Sequence, residues 1–79
     1  MQDIKVLGSG CAKCEKTASL IEKLAQEQGA SVTVEKETRP EALITYGVMR
    51  TPAVVIDGQL VHSGGIPATT DIVSWFKQN

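Results

Sequence analysis

The sequence predicts an α/β fold in which a four-stranded mixed sheet is flanked by three helices, in the order β-α-β-α-β-β-α. One basis is that the apolar pattern switches repeatedly between a period of two residues and a period of three to four. The other is the Asp57-Gly58 pair, which separates two strand-like runs and predicts a tight hairpin between them. The 79 residues are enough for one domain, residues 1–79.

The first half of the chain predicts a parallel β-α-β unit. Residues 2–7 alternate as a strand, and residues 31–35 alternate in the same way. Between them, from residue 11 to about residue 28, apolar positions recur at helical spacing: Ala18, Ile21, Leu24 and Ala25. Two parallel strands joined through a helix imply a right-handed crossover.

The second half predicts a short helix, a hairpin and a final helix. Residues 40 to about 46 begin with proline, which the first turn of a helix tolerates. Residues 53–56 form a continuous apolar run, which is typical of a strand covered on both faces, and residues 59–63 return beside it. We expect Pro67 to open the last helix, which reaches about Gln78. The expected buried face of this helix consists of Ile72, Trp75 and Phe76.

Composition excludes several functional classes. The formal net charge is −1, so no basic excess is present to bind a nucleic-acid backbone. No apolar run approaches the roughly 20 residues of a membrane span. Residues 1–5 do not show the charged-then-apolar pattern of a secretory signal. We therefore expect a cytoplasmic monomer that binds neither nucleic acid nor membranes.

The two cysteines, Cys11 and Cys14, are spaced as Cys-Ala-Lys-Cys. A purely structural disulfide is a poor explanation, because a cross-link stabilises chiefly by closing a long loop and this loop is short. A reducing cytosol would also keep such a bond open. The pair is better explained by reactivity or by metal binding.

The predicted position of the pair, where a strand ends and a helix begins, favours redox chemistry. A helix N-terminus carries unsatisfied N–H groups and about half a positive charge, and Lys13 and Lys16 add to it. We therefore expect the pKa of the Cys11 thiol to lie below its free value of about 8.5. Cys14, three residues further along the helix, would be more buried. Cys11 is then the nucleophile, Cys14 the resolving thiol and Lys13 the residue that stabilises the thiolate.

A thiolate metal carrier is the alternative from another class. Copper(I) needs only two thiolates, and heavy-metal-associated domains carry a Cys-x-x-Cys after their first strand. Those domains run β-α-β-β-α-β and end in a strand, whereas this chain is predicted to end in a helix. Structural zinc requires four ligands, and the chain has two cysteines and one histidine. We therefore expect no metal and no other cofactor.

Three segments together resemble the small glutaredoxin-sized thioredoxins of archaea and bacteria, also called redox-active disulfide proteins. They are Gly8-Ser9-Gly10-Cys11-Ala12-Lys13-Cys14, Tyr46 through Gly58, and Gly65-Ile66-Pro67. The resemblance covers nearly the whole chain. It implies a thioredoxin fold and a protein-disulfide reductase that is reduced by a reductase protein or flavoenzyme.

The same resemblance implies a substrate-binding role for Thr51 and Pro52. In that family the matching proline is cis and lies beside the disulfide, and the residue before it offers its backbone to an extended substrate. A substrate segment would add there as a strand. Arg50, the preceding residue, is positioned either to hold a substrate carboxylate or simply to aid solubility.

Departures from the larger thioredoxins and from the glutaredoxins limit what the resemblance implies. Larger thioredoxins have a buried aspartate six residues before the first cysteine, and this chain has Lys5 there, so Glu15 or water would have to accept the proton of Cys14. Glutaredoxins hold glutathione with a Thr-Val-Pro segment and a Gly-Gly segment followed by an acid. Thr51-Pro52 and Gly64-Gly65 match these only in part, so glutathione-dependent activity is the second functional hypothesis. His62 is expected to share a strand face with Leu60 and to act neither as a ligand nor as a base.

Overall fold

The structure is a computed structural model that describes residues 1–8 and 12–77. Its element order confirms the predicted β-α-β-α-β-β-α arrangement. The elements are β1 (Gln2–Leu7), α1 (Ala12–Gln28), β2 (Val32–Glu37), α2 (Pro40–Thr45), β3 (Ala53–Ile56), β4 (Gln59–Ser63) and α3 (Thr69–Phe76). No helix within the described residues is long and apolar enough to cross a membrane.

The four strands form one mixed sheet in the order β2-β1-β3-β4. β1 pairs in parallel with β2 and antiparallel with β3, and the hairpin makes β4 antiparallel to β3. Leu7, Ala53 and Ser63 lie side by side at one end of the sheet, which we call the upper end. Asp3 and Asp57 lie at the other, or lower, end, where the Asp57 N–H donates to the Asp3 carbonyl at 2.9 Å.

The two faces of the sheet are covered unequally. The face under α1 and α3 carries the larger core, which consists of Ile4, Val6, Ala18, Ile21, Leu24, Val54, Ile56, Ile72 and Trp75. The face under the six-residue α2 carries a smaller cluster of Leu7, Ala42, Ala53 and Val55. All four residues of β3 are buried, as the continuous apolar run predicted.

The last helix begins later than predicted. α3 starts at Thr69, because Ala68 is still extended, with φ −71° and ψ 147°, and forms the N-cap. Pro67 is therefore a buried loop residue and does not open the helix. The helix ends at Phe76, while Gln78 lies outside the described residues.

The expected shared face of Leu60 and His62 is wrong, because β4 contains an irregularity. The pairing with β3 shifts between Val54 and Val55, so Leu60 and His62 are no longer related by simple alternation. Leu60 packs against the smaller cluster, under α2. The His62 ring instead approaches Trp75 of the larger core, with ring centroids 6.1 Å apart.

Candidate redox site

Cys14 lies in the first turn of α1, and its side chain is buried, with 3% exposed. It contacts the chain at Gly8, directly after β1. A Cβ placed on Gly8 would overlap the Cys14 Sγ atom, so only glycine permits this approach of backbone to sulfur. The Gly8 N–H donates to the Glu37 carbonyl at 3.0 Å, which attaches the segment to the end of β2.

The segment before β3 reaches the same place. A Cβ on Gly8 would lie 3.7 Å from the Thr51 Cβ atom, so Gly8, Cys14 and Thr51 meet at the upper end of the sheet. The Thr51–Pro52 peptide bond is cis. Thr51 is exposed and Pro52 is buried. The buried Cys14 sulfur therefore lies next to the exposed residue Thr51.

The other two predicted site residues are Cys11 and Lys13. Cys11 lies outside the described residues; in the sequence it directly precedes Ala12, the first residue of α1. Lys13 is exposed in the first turn of α1, and its carbonyl accepts a hydrogen bond from the Thr17 hydroxyl at 2.8 Å. The structure thus brings Cys14, Thr51 and Pro52 to one end of the sheet, with Lys13 on the helix turn that carries Cys14.

A glycine loop supports the Thr51–Pro52 segment, and the sequence pattern did not predict this contact. The Gly64 N–H donates to the Pro52 carbonyl at 3.0 Å. The His62 Nε2 donates to the Gly65 carbonyl at 2.9 Å, which steadies the loop from the end of β4. The Gly64-Gly65 pair is visible in the sequence, but its hydrogen bond to Pro52 appears only in the folded structure.

The candidate proton acceptor Glu15 is engaged elsewhere. Its carboxylate lies 2.7 Å from the Lys36 ammonium on β2, and both side chains are about half exposed. The hydrogen bond to the Glu15 carboxylate and the negative charge of that carboxylate raise the pKa of Lys36. Glu15 therefore faces the β2 edge of the sheet rather than the buried side of α1 that carries Cys14.

A charged cleft of about 260 Å³ lies between α2 and the sheet. Lys5, which occupies the position of the aspartate in larger relatives, lines it together with Glu37, Arg39 and Tyr46. Arg39 donates to the Glu37 carboxylate from its side chain, at 2.9 and 3.0 Å, and from its backbone N–H, at 3.2 Å. These bonds lower the pKa of Glu37 to about 2. The Glu37 carboxylate is thus ionised at neutral pH and is a weak base.

The described residues contain no group of three or more histidine, cysteine, aspartate or glutamate side chains arranged to hold a metal ion.

Comparison with known proteins decides the family. The family model described as the thioredoxin domain matches residues 2–77. The chain belongs to this family. The thioredoxin of Methanocaldococcus jannaschii is 32% identical over 74 residues, which cover 94% of this chain and 85% of that protein. The thioredoxin of Methanothermobacter thermautotrophicus is 25% identical over 72 residues, which cover 91% of this chain and 94% of that protein.

Solved structures agree on the thioredoxin fold. A structure of thioredoxin-2, described as a component of the malaria parasite protein secretion machinery, superposes with a TM-score of 0.70. The match covers all of this chain and 84% of that one, at 13% sequence identity. At this identity the similarity concerns the fold.

Family membership supports a general function. The archaeal relatives are thioredoxins, and membership confirms the resemblance to a small thioredoxin-like family. It supports a thiol-disulfide oxidoreductase that acts on disulfide substrates and is served by a reductase.

Proposed function

We propose that the chain is a protein-disulfide reductase that works by dithiol exchange between Cys11 and Cys14. The observation that carries the proposal is the meeting of the Cys14 sulfur, the Gly8 backbone and Thr51 at the upper end of the sheet. Because the buried Cys14 sulfur lies next to the exposed Thr51, a substrate that docks on Thr51 comes close to that sulfur.

The first step is attack by the Cys11 thiolate on a substrate disulfide. A bond forms between Cys11 and one substrate sulfur, the substrate S–S bond breaks, and the other substrate sulfur leaves as a thiolate that takes up a proton. The N-terminus of the 17-residue α1 favours the attacking thiolate, and the exposed Lys13 in its first turn adds positive charge.

The second step releases the substrate. Cys14 loses its proton to solvent, because Glu15 is held at Lys36, and its thiolate attacks the Cys11 sulfur. The bond between Cys11 and the substrate breaks, and the substrate leaves as its second thiol. The substrate has gained two electrons, and the protein now holds a Cys11–Cys14 disulfide. A reductase protein or flavoenzyme then returns two electrons and two protons.

Thr51 and Pro52 are the proposed substrate-binding residues. The exposed Thr51 presents its backbone beside Gly8, and a substrate in extended conformation would pair with it as an added strand. Pro52 is buried, and its carbonyl is held by the Gly64 N–H, so the docking segment is anchored on its inner side. A dithiol that must be regenerated requires a reducing compartment, and we propose the cytoplasm.

The test is reduction of insulin disulfides with alternative electron donors. The purified protein is assayed with NADPH and a flavoprotein thioredoxin reductase, and separately with glutathione and glutathione reductase. We expect turnover in the first assay, with Cys11→Ser as the inactive control. Turnover with glutathione and not with the flavoprotein reductase would favour the glutathione-dependent activity.

Absence of turnover with both donors, in protein whose two thiols titrate as accessible after reduction, would contradict the reductase. Titration of the same protein with copper(I) then tests the thiolate metal carrier. Stoichiometric copper(I) binding that is lost in Cys11→Ser would favour that alternative.

A further inference from the structure

The Arg50 side chain is held beside the docking segment by a contact with a glycine. A Cβ on Gly64 would lie 3.2 Å from the Arg50 Cδ atom and 3.3 Å from its Cβ atom. The aliphatic stem of Arg50 therefore lies against the bare backbone of Gly64, whose φ of +87° also favours glycine. Arg50 as a whole is exposed, which leaves its guanidinium in solvent.

The surface under Arg50 is anchored. The Gly64 N–H bonds to the Pro52 carbonyl, and the neighbouring Gly65 carbonyl accepts from His62. Arg50 itself directly precedes Thr51. The stem of Arg50 thus lies on a hydrogen-bonded loop, and Arg50 is one residue from Thr51, on which the substrate is proposed to dock.

The charge of Arg50 is not neutralised by an ion pair in the part of the chain that the structure describes. The ion pairs among residues 1–8 and 12–77 join Lys36 to Glu15 and Arg39 to Glu37. A guanidinium presents a planar set of N–H donors that fits a carboxylate with two parallel hydrogen bonds. An exposed guanidinium at the edge of a docking site is therefore complementary to an acidic side chain of the substrate.

We propose that Arg50 is a specificity-determining residue that selects disulfide substrates with an acidic residue beside the reacting cysteine. This inference rests on the proposed reductase function. Arg50 takes no part in the exchange of sulfur bonds, so its contribution is to substrate binding. Because the pair is exposed to solvent, we expect a preference of about fivefold, which is the upper end for a surface ion pair.

The probes are disulfide-linked dimers of synthetic peptides that differ only in Glu or Gln next to the cysteine, with one matched set for each side of the cysteine. We expect wild-type protein to reduce one Glu peptide with a KM about fivefold lower than that of its Gln partner, at equal kcat. Raising the salt concentration should shrink the difference.

Variants at position 50 separate charge from packing. Arg50→Gln retains much of the stem that lies on Gly64, and we expect it to treat the Glu and Gln peptides equally. Arg50→Lys retains the charge without the paired donors and should show an intermediate preference. Lys23→Gln removes another exposed cation, from the middle of α1, and should keep the full preference.

Equal KM values for both peptide sets in wild type, or a preference that survives in Arg50→Gln, would overturn the inference while leaving the reductase function intact. Failure of the wild type to reduce any of the peptides or insulin would instead contradict the reductase function itself.

Discussion

The upper and lower ends of the sheet are formed by the same strands but use their polar and reactive groups differently. At the lower end, Asp3 and Asp57 satisfy each other: the Asp57 N–H donates to the Asp3 carbonyl, and the Asp3 N–H donates to the Asp57 carboxylate, both at 2.9 Å. At the upper end, Gly8 exposes its backbone to the Cys14 sulfur, and Thr51 remains exposed beside it.

The difference separates stability from chemistry. At the lower end, the two hydrogen bonds between Asp3 and Asp57 join the hairpin to β1. The upper end places the Cys14 sulfur, a glycine without a side chain and the exposed Thr51 in contact. Variants at the lower end should therefore change the free energy of unfolding without changing disulfide exchange. Variants at the upper end should change disulfide exchange, whether or not they also change stability.

The largest expected effect is that of Cys11→Ser. A serine hydroxyl is not ionised at neutral pH and cannot attack a disulfide, so insulin reduction should fall to the uncatalysed rate. The assay is the NADPH-coupled reduction of insulin, with thermal unfolding as the control for folding. Reduction at a rate close to that of the wild type would remove Cys11 from the mechanism.

Gly8→Ala should damage both activity and stability. Its Cβ would overlap the Cys14 sulfur, and relieving the overlap by a shift of backbone or helix should cost about 1–3 kcal/mol in the free energy of unfolding. Displacement of the resolving thiol should slow release of the mixed disulfide. Denaturant unfolding and steady-state reduction measure the two effects.

The matched control for Gly8 is Gly29→Ala, after α1. Gly29 has open space around its Cα atom but a φ of +67°, so alanine there should cost about 1 kcal/mol through backbone strain alone. We expect unchanged insulin reduction. If Gly8→Ala and Gly29→Ala behaved alike in both measurements, the close approach of Gly8 to Cys14 would have no functional role.

Asp57→Ala tests the lower end. It removes the acceptor of the Asp3 N–H and places alanine at a φ of +50°, so we expect a loss of about 1–2 kcal/mol in stability. Asp57→Asn retains a side-chain oxygen and tolerates this φ, so it should lose much less. Both variants should reduce insulin as the wild type does, and a matched loss of activity would contradict the separation of the two ends.

The smallest expected effect concerns the charged pair near the upper end. Arg39 lowers the pKa of Glu37 to about 2 in the folded protein, below the unfolded value of about 4.3. The pair therefore contributes its full stabilisation above about pH 4.3, and this contribution is lost as the pH falls towards 2. NMR titration of the Glu37 carboxyl carbon should show the low midpoint, and Arg39→Gln should raise it. Equal midpoints in the two proteins would contradict the assignment.

The parts of the fold that were predictable depend on local chemistry. Strand alternation and the Asp57-Gly58 turn are properties of neighbouring residues, and both elements match the prediction. The start of α3 was not predictable in the same way, because Pro67 suits a helix start and a loop equally well. The irregularity in β4 that turns His62 towards Trp75 depends on pairing with β3 and leaves no mark in the sequence of β4 alone.

In the site, too, the features set by neighbouring residues were predictable and the contacts between segments were not. The spacing of Cys11 and Cys14 and the Thr51-Pro52 dipeptide are visible in the sequence and predicted a redox site. The contact of Gly8 with Cys14 joins the end of β1 to α1. The contact of Gly64 with Arg50 joins the end of β4 to the segment before β3. Both glycines are visible in the sequence, but the close approach that each one permits appears only in the folded structure.

The division of labour between the two thiols is the central claim, and trapping tests it most directly. Because Cys14 is buried and Cys11 is the proposed attacking thiol, Cys14→Ser should accumulate a mixed disulfide between Cys11 and the substrate that cannot resolve. The protein is incubated with a disulfide peptide, and peptide mapping by mass spectrometry locates the adduct. We expect an adduct on Cys11 in Cys14→Ser and none on Cys14 in Cys11→Ser. An adduct that forms on Cys14 in Cys11→Ser, with no adduct in Cys14→Ser, would contradict the assigned roles and reverse them.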